Sequence, residues 1–393
     1  LQSLADGQGR TTVAETEEEP GRILHEVRYD HRSIGLLGGS NVYYGTVDAT
    51  PLFVMLVAEY LRWSNDREMV ETLLPAVDRA LGWMRSSGDA DGDGFIEYER
   101  SHDSGLANQG WKDSWDGVRY GDGRVAEAPI ALCKVQAYAF GAHLARAYLA
   151  DVYGDAELAA EQREVAANLG RAFDNAFWLE RKGTYAVGLD ADKRPIDSSA
   201  SNVGHCLWTG IVEPAKAARV AETLASAELF SGWGLRTLSS ANPGYNPLSY
   251  HCGSVWPHDT AIAIAGLERY GHHRQASILR SGLLDAAAAL GGRLPELFAG
   301  FGREELPSPV AYPASCAPQA WAAASPLLLV RSMLGMEPDL PNGRIRMNSR
   351  LHDPDVEVRA TDIPLGGGRV DVVAGGTSAS LAGLPPTVTV ERA

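Results

Sequence analysis

Helices that are apolar on every side alternate with helices that are apolar on one, and this alternation limits the possible folds more than any other feature. Thr50 can cap a helix with Pro51 at its first position. From there to about Trp63, the residues Leu52, Phe53, Val54, Met55, Leu56 and Val57 leave no polar face, which describes a helix buried all round. The next helix, roughly 67–86, gathers Val70, Leu73, Leu74, Val77, Leu81 and Met84 on one stripe. A buried helix followed by an amphipathic one reads as the inner and outer arms of a hairpin. The pattern returns at 127–150 with 156–178, at 203–211 with 214–226 and at 254–269 with 273–290. A last helix spans 317–335. Strand signals are confined to Thr184-Tyr-Ala-Val-Gly-Leu189 and to the stretch after Pro341. There Arg344-Ile-Arg-Met, Val356-Glu-Val-Arg, Val370-Asp-Val-Val and Thr387-Val-Thr-Val-Glu391 alternate with turn residues. No fixed-length repeat accompanies the pattern. The expectation is an all-α dominated fold over residues 1–340 with a small β appendage over 341–393.

The 393 residues carry a formal charge of −15, which argues against nucleic acid because a phosphate binder needs a basic stripe. No run reaches the ~18 apolar residues of a membrane span. Cys133, Cys206, Cys252 and Cys316 are widely spaced with no Cys-x-x-Cys pair, so buried thiols in a reducing compartment, the cytoplasm, are the expectation. The acids Glu15 and Glu17 to Glu19 ahead of Pro20 read as a solvated loop.

The connection over residues 88–125 is longer than packing needs, and loops of that length in a compact domain are functional or disordered. Within it Asp103-Ser-Gly-Leu-Ala-Asn-Gln-Gly-Trp-Lys-Asp-Ser-Trp-Asp116 sets two tryptophans among carboxylates. Burying both is costly unless a polar ligand pairs with them. A sugar does so, stacking its ring face on Trp while its hydroxyls meet carboxylates. Four further loops share this density of aromatic and acidic residues: Tyr43 to Asp48, Gly244 to Asp259, Leu294 to Phe301 and Tyr312 to Trp321. Hydrolysis of an acetal by two carboxyl groups needs one acid at the leaving oxygen and one base for water. Asp113 and Glu296, each isolated among aromatic residues and turns, are the candidates. Asp48 reads equally as a helix cap and a sugar contact, and Asp259 as a cap or an orienter of His258. His251 and His258 lie seven apart with no His-Glu-x-x-His spacing, so a catalytic zinc is not expected. Asp89-Ala-Asp-Gly-Asp-Gly-Phe-Ile-Glu97 begins like a calcium loop, with Asp89, Asp91 and Asp93 at positions one, three and five. Position twelve is Arg100 rather than Glu, so an acid-rich turn is the first reading and a structural Ca²⁺ the second. No other cofactor is expected.

At these same residues the chain resembles the catalytic domain of bacterial amylo-α-1,6-glucosidase (glycogen-debranching-like) proteins. It also resembles their clan of inverting (α/α)₆-barrel glycosidases, which includes trehalases, processing α-glucosidases and mannosylglycerate hydrolases. The stretches that carry the resemblance are EPGRILHEVR (19–28), YYGTVDATPLFV (43–54), DADGDGFIEY (89–98), NQGWKDSWD (108–116), SVWPHDTAIA (254–263), LPELF (294–298) and YPASCAPQAWAAAS (312–325). The resemblance implies an (α/α)₆ toroid, Asp113 as general acid and Glu296 as general base. It implies Asp48, Trp111, Lys112, Trp256, His258, Asp259 and Gln319 as sugar-pocket residues, and Tyr44, Trp115, Asp116, Tyr312 and Trp321 from the same loops join them as candidates. A toroid of this clan has twelve helices and about nine are counted here. The expectation is therefore that the first hairpins come from a preceding segment or a separate chain. The implied activity is exo-acting, inverting hydrolysis of an α-linked glucoside or related α-glycoside, the partner being an oligosaccharide or small α-glycoside. The alternatives are a non-catalytic carbohydrate-binding fragment, or a helical-toroid epimerase or lyase.

Overall fold

In the computed structural model, which describes residues 1–29, 40–349, 351, 356–376 and 378–392, the chain forms two compact units. The first comprises residues 1–59, 67–179 and 185–198, and the second residues 60–66, 180–184 and 199–393.

In the first unit a short helix α1 (Gln2–Asp6) precedes α2 (Ala49–Ser64, whose last residues belong to the second unit) and α3 (Arg67–Met84). The long pair α4 (Cys133–Tyr153) and α5 (Ala156–Phe177) follows. The apolar stripe read from the sequence is the buried face of α3: Val70, Leu73, Val77, Leu81 and Met84 are all buried. Gly154, with φ +83°, closes α4, and the Asp155 carboxylate accepts from Leu158 N at 3.0 Å to open α5, so two adjacent residues turn the chain between antiparallel arms. Phe173 stacks on Phe177 and Tyr185 with centroids 4.8 Å apart in each case, and Phe95 meets Phe177 edge-on at 5.2 Å, forming a core beneath the long connection.

Three expectations are corrected here. The helix expected from 127 begins at Cys133, because Ala131–Leu132 instead pairs antiparallel with Gly188–Leu189. Thr50 is not a cap: α2 starts at Ala49, and the Thr50 hydroxyl accepts from Ile23 N at 2.9 Å. The acid run is solvated only in part: Glu15 is exposed, but the acids after it are not free in water. Glu17 is buried and accepts from Ser101 N at 2.8 Å, while Glu19 accepts from Trp83 Nε1 at 2.7 Å and from Arg22 at 3.2 Å.

The second unit contains α6 (Val203–Thr209), α7 (Pro214–Leu224), α8 (Pro257–Arg269), α9 (His273–Ala289) and α10 (Ala320–Leu334), with α8 packed against α6, α9 and α10. Its end is β-rich. Strands 357–365, 368–375 and 378–382 form an antiparallel meander, and 344–347 lies between antiparallel 336–339 and parallel 389–392. Leu334, Met336, Ile345, Met347, Leu365, Val370 and Val372 bury a common core with Trp63 packed on it. Among the described residues no helix is long and apolar enough to cross a membrane.

Candidate active site

Each unit assembles its own group of the expected residues. In the first, the loop 103–116 is pinned at four places. The Tyr43 hydroxyl accepts from Leu106 N at 2.9 Å. Asn108 accepts from the Tyr98 hydroxyl at 2.6 Å and donates to Ser114 O at 2.7 Å. Val47 N donates to Gln109 O at 2.8 Å. Buried Arg22 donates to Gln109 Oε1 at 2.7 Å, to Glu17 O at 3.0 Å and to Thr46 O at 3.3 Å, so one guanidinium clamps three segments. Gly110 is required by close approach: a Cβ there would lie 2.6 Å from Leu132 Cδ1. Burial pushes the Tyr43 phenol up to about 12 and carries Tyr98 higher still, with the nearby Asp48 charge adding to the latter. Both phenols therefore stay protonated and serve as fixed hydrogen-bonding posts.

On this scaffold Trp111 and Lys112 are buried, the ammonium 5.4 Å from the indole centroid, and Asp113 is half-buried. Trp115 is 70% exposed, and Asp116 pairs with Arg119 at 3.1 Å. Tyr44 donates its hydroxyl to Gly7 O at 2.9 Å. Asp48 is buried just ahead of α2, where its main-chain carbonyl accepts from Leu52 N at 3.2 Å. Its side chain forms a buried ion pair with Lys134, a residue not singled out from the sequence.

The acid-rich turn holds a cation of the protein's own. Lys193 Nζ lies 2.6 Å from Asp91 Oδ2, 2.7 Å from Asp93 Oδ2 and 2.9 Å from Glu97 Oε2. Burial pulls Lys193 down, but the hydrogen bonds to these three carboxylates outweigh it and hold the ammonium above its usual range. The same contact holds Asp91 below the carboxylate range. Among the described residues, the carboxylates close enough together to share a metal ion are Asp89, Asp91 and Glu97, within 4.8 Å, so Glu97 rather than Asp93 completes that trio.

In the second unit Glu296 is held at both carboxylate oxygens. Oε1 accepts from the Tyr250 hydroxyl at 2.7 Å and Oε2 from Cys316 N at 2.9 Å. Its own N–H donates to Cys316 O at 3.0 Å. Two residues on, Phe298 exchanges backbone hydrogen bonds with Val255 at 2.9 and 3.0 Å, which fixes the segment on the Gly244–Asp259 loop. Tyr250 is the hub: its carbonyl accepts from Trp256 Nε1 at 2.9 Å, and its ring meets His251, Trp256 and Tyr312 at 4.6, 5.0 and 5.8 Å. His258 continues the aromatic wall, 5.7 Å from Trp256 and 4.3 Å from Trp321. Asp259, fully buried, accepts from His205 Nε2 at 2.7 Å. Gln319 opens α10, its Oε1 accepting from Ala322 N at 2.9 Å. Lys134 could have been found as a lone cation in the apolar run Ile130-Ala-Leu-Cys-Lys-Val, and Tyr250 lay inside a loop already marked. Nothing local marks His205.

Residues 21–298, more than half of the chain, match the family described as the mannosylglycerate hydrolase MGH1-like glycoside hydrolase domain. No curated protein sequence matches the chain. Among solved structures, a sialidase superposes with TM-score 0.64 at 12% identity, over 84% of this chain and 31% of that one. A GH78-family rhamnosidase of Bacillus sp. GL1 gives 0.60 at 17%, over 88% and 33%. The GH63 mannosylglycerate hydrolase of Thermus thermophilus, in complex with glucose, gives 0.57 at 17%, over 84% and 86%. The chain thus spans about a third of the length of the first two. At such identities the likeness concerns the fold and not the reaction.

Proposed function

The chain belongs to the MGH1-like glycoside hydrolase family, and from that premise we propose that it hydrolyses an α-linked glucoside or mannoside with inversion. In this reading Asp113 protonates the glycosidic oxygen and Glu296 draws a proton from the water attacking the opposite face. The helices build an (α/α)₆ toroid, for which the helical hairpins and the fold likeness to the Thermus thermophilus enzyme speak. The family match falls in the mannosylglycerate-hydrolase branch of the clan and lends nothing to an amylo-α-1,6-glucosidase specificity. Small α-glycosides, those of glycerate included, are accordingly the first substrates to try.

The observation that carries the reading is the setting of Glu296. A surface acid has no reason to be gripped at both oxygens inside a wall of Tyr250, Trp256 and Tyr312, whereas a base that must face one water needs that fixity. An inverting pair stands ~6.5–9.5 Å apart to leave room for the water. The test is a screen of α-glucosides and α-mannosides with the anomer of the released sugar followed by NMR. The β anomer must appear first. Asp113→Asn and Glu296→Gln should each remove nearly all turnover with the melting temperature retained. Full activity in either variant, or initial release of the α anomer, overturns the proposal.

A further inference from the structure

Lys134 is fully buried, which is costly for an ammonium unless it is paired. It bonds Asp48 Oδ2. The other oxygen of that carboxylate, Oδ1, is removed from solvent and has no hydrogen-bond partner among the described residues. A pair serving packing alone would satisfy both oxygens; one oxygen held and the other offered suits a ligand that brings a donor. The helix start does not use Oδ1, because Leu52 N is met by the main-chain carbonyl of Asp48. Lys134 also lies against the loop that carries Asp113. A Cβ on Gly110 would come within 3.4 Å of its Nζ, one residue ahead of Trp111.

We propose that Lys134 is a positioning residue that holds Asp48 turned so that Oδ1 accepts one particular hydroxyl of the bound sugar. This rests on the reading of the protein as a glycosidase with Asp48 in its sugar pocket. Lys134 touches no substrate atom and moves no proton. Its effect is to make Asp48 a rigid acceptor, and so a determinant of which ring hydroxyl is required.

The experiment uses the full chain and measures, by calorimetry, binding of glucose, mannose and their monodeoxy forms. The proteins are the wild type, Lys134→Met, Lys134→Arg, Asp48→Asn and the double variant Lys134→Met/Asp48→Asn. In the wild type one deoxy sugar binds about 10- to 100-fold more weakly than its parent, the worth of a hydrogen bond to a charged group. Lys134→Met lowers affinity for the parent by a similar factor and abolishes the penalty for that deoxy position, while Lys134→Arg restores part of both. The double variant, with no unpaired buried charge, regains the melting temperature but not the affinity, which a purely structural pair would not do. Wild-type discrimination among deoxy sugars in Lys134→Met, or in the double variant should the single one fail to fold, overturns the proposal while the glycosidase reading stands. Unchanged affinities in Asp48→Asn remove Asp48 from the pocket, and a wild type that binds none of these sugars sinks both.

Discussion

Replacing Lys193 by Met tests whether the acid-rich turn is organised around an internal cation. The side chain is conserved in length, and the loss is the ammonium amid Asp91, Asp93 and Glu97. The carboxylates of Asp91 and Asp93 are 47% and 29% exposed, so each contact is worth about 0–1 kcal/mol after screening. Glu97 is only 7% exposed, and a hydrogen bond between charged groups there is worth about 1.5–3 kcal/mol. The loss is therefore about 1.5–5 kcal/mol. At ~2–4 °C per kcal/mol for a unit of this size, the melting temperature should fall by roughly 3–20 °C. The pH dependence has a definite sign. Asp91 is depressed, so its share of the stability is present above the unfolded value of ~3.9 and is lost as pH falls through the folded one. Lys193 is raised, so its share is complete below ~10.4 and is lost only above that. The deficit of the variant should thus be flat from about pH 5 to 10 and shrink below about pH 4. Without the ammonium, Asp89, Asp91 and Glu97 become a site for a divalent cation, and millimolar Ca²⁺ should restore Lys193→Met while leaving the wild type unmoved. A variant melting within a degree of wild type, or a wild type stabilised by Ca²⁺ as much as the variant, would refute the reasoning.

Two further outcomes follow from the setting of Glu296. Tyr250→Phe keeps the ring contacts and removes the donor to Oε1, so kcat should drop about 10- to 100-fold with KM little changed; a kcat within twofold of wild type would show that the hydroxyl is idle. Cys316 is the exposed cysteine among three buried ones, and the charge of Glu296, with smaller help from burial and their hydrogen bond, holds its thiol above the usual range. Alkylation by iodoacetamide at pH 7 should be slower than for a free thiol, should accelerate above pH 9, and should end activity once complete. A fast reaction at neutral pH, or full activity after modification, would contradict the geometry.

The helices were legible because burial imposes a period, and Val70, Leu73, Val77 and Leu81 report which way α3 faces. Periodicity names a face but not a partner. Lys134 and Asp48 are 86 positions apart, Arg22 and Gln109 87, Tyr250 and Glu296 46, and no local pattern joins them. The same limit explains the misread acid run. Glu17 to Glu19 look like a solvated stretch until Arg22, Trp83 and the backbone of Ser101 arrive to satisfy them. It also explains the late start of α4, since a two-residue pairing with Gly188–Leu189 outbids helix propensity at Ala131. The motif loops were recognisable by composition, because Trp beside Asp in Gly-bounded turns is costly to fold without a purpose.

The clamp at Arg22 has a bearing on how such a chain can drift. Two of its grips are on main-chain oxygens, at Glu17 and Thr46, and so are indifferent to what side chain stands there. The grip on Gln109 is not: it needs an acceptor of that reach, two residues ahead of Trp111. Positions 22 and 109 are therefore expected to change as a couple or not at all, whereas the side chains at 17 and 46 play no part in this clamp.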